Sequence, residues 1–213
     1  MGVEIIFLVG ASGHGKVVLD ALLQSGVSPE RIVVTDDAIQ LKGKTILGLP
    51  IRVPAIQDAA SECLFHVAIG HESVRQRLFD RMESGGSRPF TVVHPTATIS
   101  RFALVGAGAF VAAHAVIAPG ATVGRGTIIN HGAIIDHDCR VGDFAHIAPN
   151  ATLGGGVRIG ELALIGAGAT ILPQTTIGEG AIIGAGAVVL RNVEAGAISA
   201  GVPAVSVKRR QSD

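Results

Sequence analysis

The sequence predicts a small α/β domain over residues 1–90, followed over 91–213 by a β-solenoid, a coil of very short strands. Three observations carry this. From Val93 to about Val193 an aliphatic residue returns every six positions. Ahead of it, short apolar runs alternate with glycine loops and helical patterns. The composition holds 29 glycines and only seven aromatics, all Phe, which suits a solenoid whose narrow interior has little room for rings.

A fixed short period names a repeat architecture and takes precedence over local readings. Stepping by six from Val93 gives Ile99, Val105, Val111, Ile117, Val123 and so on to Val189, all aliphatic and mostly β-branched. Four residues after each lies a small one: Ala97, Ala103, Ala109, Ala115, with Thr127, Cys139, Val157, Thr175 and Val193 as the variants. Gly, Pro, Asn and Asp, the residues that let a chain turn, fill the gaps. A period of six fits neither a helix, which repeats a face every 3.6 residues, nor one long strand, which repeats every second. It fits short strands that each end in a corner. The aliphatic slot fills the interior, the small slot fits the crowded corner, and successive coils pair through their backbones.

The N-terminal part reads in order as strand, helix, strand, strand, helix, strand. Residues 4–9 (EIIFLV) are a continuous apolar run, as expected of a buried parallel strand. Gly10-Ala-Ser-Gly-His-Gly15 follows, then a helical pattern through Val17, Val18, Ala21 and Leu22 that stops at Gly26. Ile32–Thr35 is a second strand ending in Asp36-Asp37. Gly48-Leu-Pro-Ile turns into a short third, and Cys63–Ile69 is a fourth, closed by Gly70-His71. A helix runs on from Ser73, 84–89 reads as the last loop, and Thr91–Val93 re-enters a strand. Alternation of this kind builds a parallel sheet. After Val193 the period decays toward a basic, polar tail, Lys208 to Asp213.

Lys+Arg and Asp+Glu are both 17, so the basic excess typical of nucleic-acid binders is missing. Two distant cysteines, Cys63 and Cys139, lack metal-site spacing, and Cys139 occupies an interior slot as a core thiol. The N-terminal segment carries an acid and runs straight into a glycine loop. No secretory signal or membrane span is therefore expected, and the cytoplasm is the expected compartment.

Two regions hold candidate chemistry. The first glycine loop lies between strand and helix, where backbone N–H groups and the helix dipole can hold a phosphate. Its G-x-x-G-x-G spacing is not the dinucleotide fingerprint, and a tight turn without a ligand is the plain alternative. Asp36-Asp37 closes the next strand, where an acid can meet a ribose or base edge; an exposed turn is the alternative there. The second region is Asn130 to His146. His137 stands between Asp136 and Asp138, off the interior positions, and a histidine flanked by carboxylates suits a general base. His146 follows half a coil later. His66, His71, His94 and His114 have no such company and read as structural.

The motifs GASGHGKVV, the Asp-Asp pair, AIG at 68–70, HPTA at 94–97, IIDHDC, GDFAHIAP and GVPA together resemble one family across essentially the whole chain. It is the family of bacterial sugar O- and N-acetyltransferases, hexapeptide-repeat acyltransferases that modify sialic acid or nucleotide-linked amino sugars. The resemblance implies a Rossmann-like nucleotide-sugar-binding domain and a left-handed parallel β-helix assembled as a homotrimer. Coenzyme A then lies in the groove between neighbouring solenoids. His137 is implied as general base, helped by Asp138. His146 and the backbone of Gly155 are implied to hold the acetyl group, and Ala167 and Ala185 to line the coenzyme. Asn130 and His14 are implied near the sugar, and Gly13, Asp36, Asp37, Ile69 and Gly70 near the nucleotide. His71 departs from the bacillosamine-type pattern, which has Asn after AIG.

The expected activity is acetyl transfer from acetyl-CoA to the amine of a nucleotide-linked amino sugar in surface glycan biosynthesis, with no metal. O-acetylation of sialic acid is the alternative acceptor chemistry. A zinc lyase of the γ-carbonic anhydrase kind would need three converging histidines. His131, His137 and His146 supply the number but not that family's spacing. A non-catalytic nucleotide-binding scaffold is the third reading.

Overall fold

The computed structural model of the protein describes residues 4–54 and 63–207. It forms two compact units, Met1–Pro95 and Thr96–Asp213. The basic tail expected from Lys208 onward lies outside the described residues.

The first unit runs β1 (Ile6–Val9), α1 (Gly13–Gln24), β2 (Ile32–Thr35), β3 (Thr45–Ile46), β4 (Leu49–Arg52), β5 (Leu64–Val67), α2 (Glu72–Ser84), β6 (Arg88–Pro89) and β7 (Val92–Val93). The first six strands form one sheet in the order β3-β4-β2-β1-β5-β6, parallel except for the β3–β4 hairpin. Ile6, Leu8, Phe65, Val18, Leu22 and Phe79 are almost fully buried in its core. Phe65 and Phe79 meet edge to face with centroids 5.1 Å apart, a favoured aromatic geometry. Because β2 lies on one side of β1 and β5 on the other, the strand order reverses between β1 and β5. In open sheets of this kind, ligands bind at that reversal, beyond the strand C-termini.

Two features depart from the sequence reading. The segment 84–89 is not wholly a loop, since Arg88–Pro89 pairs in parallel with Leu64–Phe65. Proline is tolerated there because β6 is an edge strand. The ladder bonds come from Arg88 N–H to Cys63 O at 2.9 Å and Phe90 N–H to Phe65 O at 2.7 Å, leaving Pro89 no donation to make. The turn at Gly48 is also preceded by a strand, β3. Leu47 and Gly48 both take positive φ, 45° and 84°, the conformation of a tight hairpin turn.

In the second unit, two-residue strands recur every six residues from Thr98–Ile99 to Val188–Val189. Up to Thr170–Ile171 each pairs in parallel with the residues eighteen further on, as Val116 with Ile134 and Ile117 with Ile135. Three sheets result, one per face of a left-handed parallel β-helix. The aliphatic slot is sealed: Ile135, Ile147, Leu153, Ile165 and Ile171 have no exposed surface, nor do Ala133, Ala145, Ala151, Ala163 and Ala169 in the small slot. Burying one such aliphatic side chain contributes about 1.5–3 kcal/mol. Polar residues in the small slot are satisfied there, with Thr127 Oγ1 donating to Gly142 O at 3.1 Å and Cys139 Sγ to Gly154 O at 3.2 Å.

From Gly108 to Gly186 each corner turns through one residue of positive φ, and these too recur by six. Most are glycine, and the others are His114, Asp138, Phe144, Asn150, Leu162 and Gln174. The strict register ends at Val189, earlier than the sequence reading placed it. Val193 bridges to Ile177 and Ile182 pairs with Ile198, so the last coil is two residues short. The chain then closes antiparallel, Ile198–Ala200 against Val205–Ser206.

The corners predict graded costs for glycine substitution. At Gly186 (φ 67°) an added Cβ meets open space, so Gly186→Ala should cost only the left-handed conformation, about 1–2 kcal/mol. At Gly126 (φ 58°) the same carbon runs into the Phe144 ring. Gly126→Ala should therefore lower the unfolding midpoint clearly more than Gly186→Ala, and thermal or urea denaturation of the pair checks it.

Candidate active site

His137 sits in the corner after the strand Ile134–Ile135, held by its two neighbours in sequence. Its backbone N–H donates to Asp136 Oδ1 at 2.7 Å. Its ring Nδ1–H donates to Asp138 Oδ2 at 2.9 Å. Asp138 is the positive-φ residue of this corner (φ 60°), and its own N–H is tied to Pro119 O one coil below, at 3.1 Å. Asp tolerates that conformation better than most residues, and there it brings its carboxylate back beside the preceding ring. One coil above, Gly155 packs against the imidazole, so close that any Cβ would strike Nε2 and Cε1.

With Nδ1 protonated toward Asp138, Nε2 keeps its lone pair. The hydrogen bond to Asp138, followed by the charge of Asp136, raises the histidine pKa from its ordinary 6.5, although the ring is exposed. Such a group accepts a proton readily and has a carboxylate ready to stabilise the imidazolium. Cys139, next in sequence, is fully buried and its thiol is pushed up by desolvation, so it is no nucleophile.

A second polar group occupies a different corner, that between the strand Ile128–Ile129 and the strand Ile134–Ile135. Asn130 Oδ1 accepts from the backbone N–H of His131 at 2.9 Å and from His131 Nδ1 at 2.8 Å. Asn130 Nδ2 lies 3.3 Å from Nε2 of His146, which opens the strand one coil above. Ala167 and Ala185, eighteen residues apart and exposed, continue the column that contains His131. Of the expected coenzyme residues, then, His146, Ala167 and Ala185 gather near one corner, while Gly155 belongs with His137 at the next. Within one chain the three histidines His131, His137 and His146 do not converge. Among the described residues no group of three His, Cys, Asp or Glu side chains is placed to share a metal.

The first unit gathers most of its expected residues at the C-terminal ends of β1, β2 and β5. Gly10 (φ 111°) packs so tightly that a Cβ would meet Ile69 Cδ1 at 2.7 Å and Ala68 O at 2.8 Å. A Cβ on Gly15 would run into Gly10 O, whereas one on Gly13, the first residue of α1, meets nothing within 4 Å. Gly10 and Gly15 are thus required by packing, and Gly13 faces open space. Asp36 is spoken for by the loop: Oδ2 accepts from Ala11 N–H at 2.8 Å and Oδ1 from Ala38 N–H at 2.9 Å. Asp37 is exposed beside Phe7, Val9 and the α2 residues Leu78 and Arg81. His14 is half-buried in the first turn of α1.

Three residues here escaped the sequence reading. Lys16 and Lys44 line a cleft of about 360 Å³ with Ser12 and Gly13. Lys16 was legible as a base one turn into a helix behind a glycine loop; Lys44, from the unexpected hairpin, was not. Arg75 is almost fully buried, and its Nη1 donates to Ile69 O at 2.9 Å and Gly70 O at 2.7 Å. It fixes the loop that follows β5. Burial lowers its pKa to about 10, which leaves it charged at neutral pH. His66, read as structural, is buried with its pKa lowered to about 4 by desolvation, and its Nδ1–H donates to Phe90 O at 2.9 Å.

Comparison with known proteins adds the following. Residues 5–82 match the PglD N-terminal domain family, and residues 120–155 and 156–191 match the bacterial transferase hexapeptide family. The chain is 36% identical over 106 residues to UDP-N-acetylbacillosamine N-acetyltransferase of Bacillus subtilis, a match spanning 48% of this chain and 49% of that protein. It is 32% identical over 159 residues to GDP-perosamine N-acetyltransferase of Escherichia coli O157:H7, covering 70% and 69% of the two. The acetyltransferase domain of PglB from Neisseria gonorrhoeae, solved with acetyl coenzyme A, superposes with a TM-score of 0.90 at 36% identity. That match covers 97% of this chain and all of that one.

The Asp138 contact has a measurable consequence. Asp138→Asn removes the charge that raises the His137 pKa, so the midpoint of the His137 ring, followed by NMR, should move down toward 6.5. If His137 is the base, which must be neutral to act, the acid-side fall in rate should move to lower pH by the same amount. An unchanged midpoint would show that Asp138 does not set it.

Proposed function

The chain belongs to the bacterial hexapeptide-repeat sugar acetyltransferases that carry a PglD-type N-terminal domain, and on that premise we propose its reaction. It transfers the acetyl group of acetyl-CoA to the amine of a nucleotide-linked amino sugar, a step of surface glycan biosynthesis. The observation that carries this is the His137–Asp138 pair standing over the backbone of Gly155. The two relatives named above are N-acetyltransferases of nucleotide sugars, which favours an amine over a sialic acid hydroxyl as acceptor.

The neutral amine attacks the thioester carbon, and its proton passes to His137 Nε2. Asp138, with Asp136 behind it, stabilises the imidazolium that forms. The oxyanion is met by the N–H of Gly155, which makes no bond to a backbone carbonyl among the described residues. Removing one such donor typically costs ~2.7–4 kcal/mol. Collapse expels the coenzyme A thiolate, to which His137 returns the proton. Residues 1–90 hold the nucleotide, with Gly13, Ile69 and Gly70 beside the phosphates and Asp37 exposed to ligand. Asp36 acts by bracing the glycine loop, and His14 and Asn130 serve the sugar.

A homotrimer held by the 93–193 segment completes the site. His137 and Gly155 of one copy then face His146, Ala167 and Ala185 of the next across the groove that takes coenzyme A. Use of acetyl-CoA and the free thiols of Cys63 and Cys139 support the cytoplasm as its compartment.

Thiol release from acetyl-CoA across a panel of UDP-, GDP- and dTDP-linked amino sugars, with sialic acid as control, tests the assignment. One amino sugar should support turnover and sialic acid should not. General-base assistance contributes typically ~10²–10⁴-fold, so His137→Ala should lower kcat by about that factor while coenzyme A still binds. A variant within threefold of the parent would remove His137 from the role. Sedimentation at micromolar concentration should give a trimer, and a monomer would remove the shared groove.

A further inference from the structure

His131 has entered no role so far, yet its bonds decide the protonation of its neighbours. Asn130 Oδ1 accepts from the backbone N–H of His131 at 2.9 Å. That backbone group cannot accept a hydrogen bond, so the orientation of the Asn130 amide is settled without reference to any histidine tautomer. Two consequences follow. His131 Nδ1, 2.8 Å from the same oxygen, must carry a proton. Asn130 Nδ2, which can only donate, faces His146 Nε2 at 3.3 Å, so that nitrogen must accept.

We propose that His131 is a positioning residue that, through Asn130, locks His146 in the tautomer protonated at Nδ1. This rests on the reading above only in giving His146 the acetyl group as a contact; the lock itself is a property of the free chain. The hydrogen-bond donor that His146 offers is then Nδ1–H, not Nε2–H. A proton added at Nε2 would confront the Asn130 amide donor to donor. If Asn130 instead turned its oxygen toward His146, the two N–H groups of His131 would face an amide N–H₂. Two donors on one oxygen hold the amide against that turn, and the backbone one alone holds it less firmly. His131 is exposed at a corner and outside the aliphatic ladder, so it can be exchanged without disturbing the coil.

The test uses the full chain labelled with ¹⁵N-histidine, with His146 identified by its loss in His146→Gln. Long-range ¹H–¹⁵N correlation above the His146 titration should show the Nδ1–H tautomer in the parent. Asn130→Asp, which has no amide donor, should convert it to Nε2–H. His131→Leu should shift the population part of the way and lower kcat several-fold. His131→Asn, whose Nδ2 can occupy the place of the imidazole Nδ1, should restore both. A parent already in the Nε2–H form, or a tautomer unmoved in both Asn130→Asp and His131→Leu, would overturn the proposal. A tautomer that shifts while kcat stays at the parent value would keep the lock and overturn the acetyl contact assigned to His146.

Discussion

The register of eighteen residues per coil is the constraint on which the second unit depends. It stacks Ile117 on Ile135 and Ile135 on Leu153, so each coil covers the apolar interior of the next. It also assigns each side chain a place before its chemistry is considered. In the aliphatic and small slots a side chain points into a dry, close-packed interior where an unpaired polar group costs a few kcal/mol. Thr127 and Cys139 occupy small slots only because a carbonyl of the corner stacked one coil above receives their hydrogen. Freedom to carry function is left to the corners and to the outward residue of each two-residue strand.

That division accounts for the character of the site. Asn130, His131, Asp136, His137 and Asp138 are corner residues, and His146 is the outward residue of its strand. The corner also demands one residue of positive φ, a demand that falls on Asp138. Glycine would meet it at less conformational cost but would leave His137 without its carboxylate. At this position a requirement of the fold and a requirement of the proposed chemistry are met by one side chain. Gly155 is the counterpart: no left-handed backbone requires it, but the His137 ring leaves no room for anything larger.

Much of this was legible because it is periodic or local. The solenoid followed from the six-residue aliphatic spacing, and the His137 group from carboxylates on both sides of one histidine. What escaped depends on contacts remote in sequence or on small local exceptions. Strand β6 was hidden by a proline that only an edge position tolerates, and β3 by a leucine in a positive-φ turn. Asp36 reads in sequence as an acid ready for a ligand, but the fold turns both its oxygens onto backbone N–H groups of Ala11 and Ala38. Arg75 sits in a helix whose exposed face is rich in charge, and nothing nearby marks it as the residue that is buried. The two-residue shortening of the last coil is likewise invisible until Ile182 is seen to pair with Ile198.

The placing of polar groups on two corners bears on how such a site can be completed. His137 and Gly155 stand on one corner, and Asn130, His131 and His146 gather near the next. Between them runs a face of backbone ladders whose inner side is filled with Ile135, Leu153 and Ile171, none with exposed surface. A close-packed interior of this kind does not deform continuously, and moving one corner toward another would break ladder bonds in every coil it crossed. Local closure around a substrate is therefore a poor route to bringing the two groups together. Rigid assembly is a good one, because in a ring of identical copies one corner of each chain faces a different surface of its neighbour. The stiffness that keeps the groups apart within a chain would then hold them in register across the groove. Positioning of that kind supplies a large part of the rate of a transfer between two bound substrates.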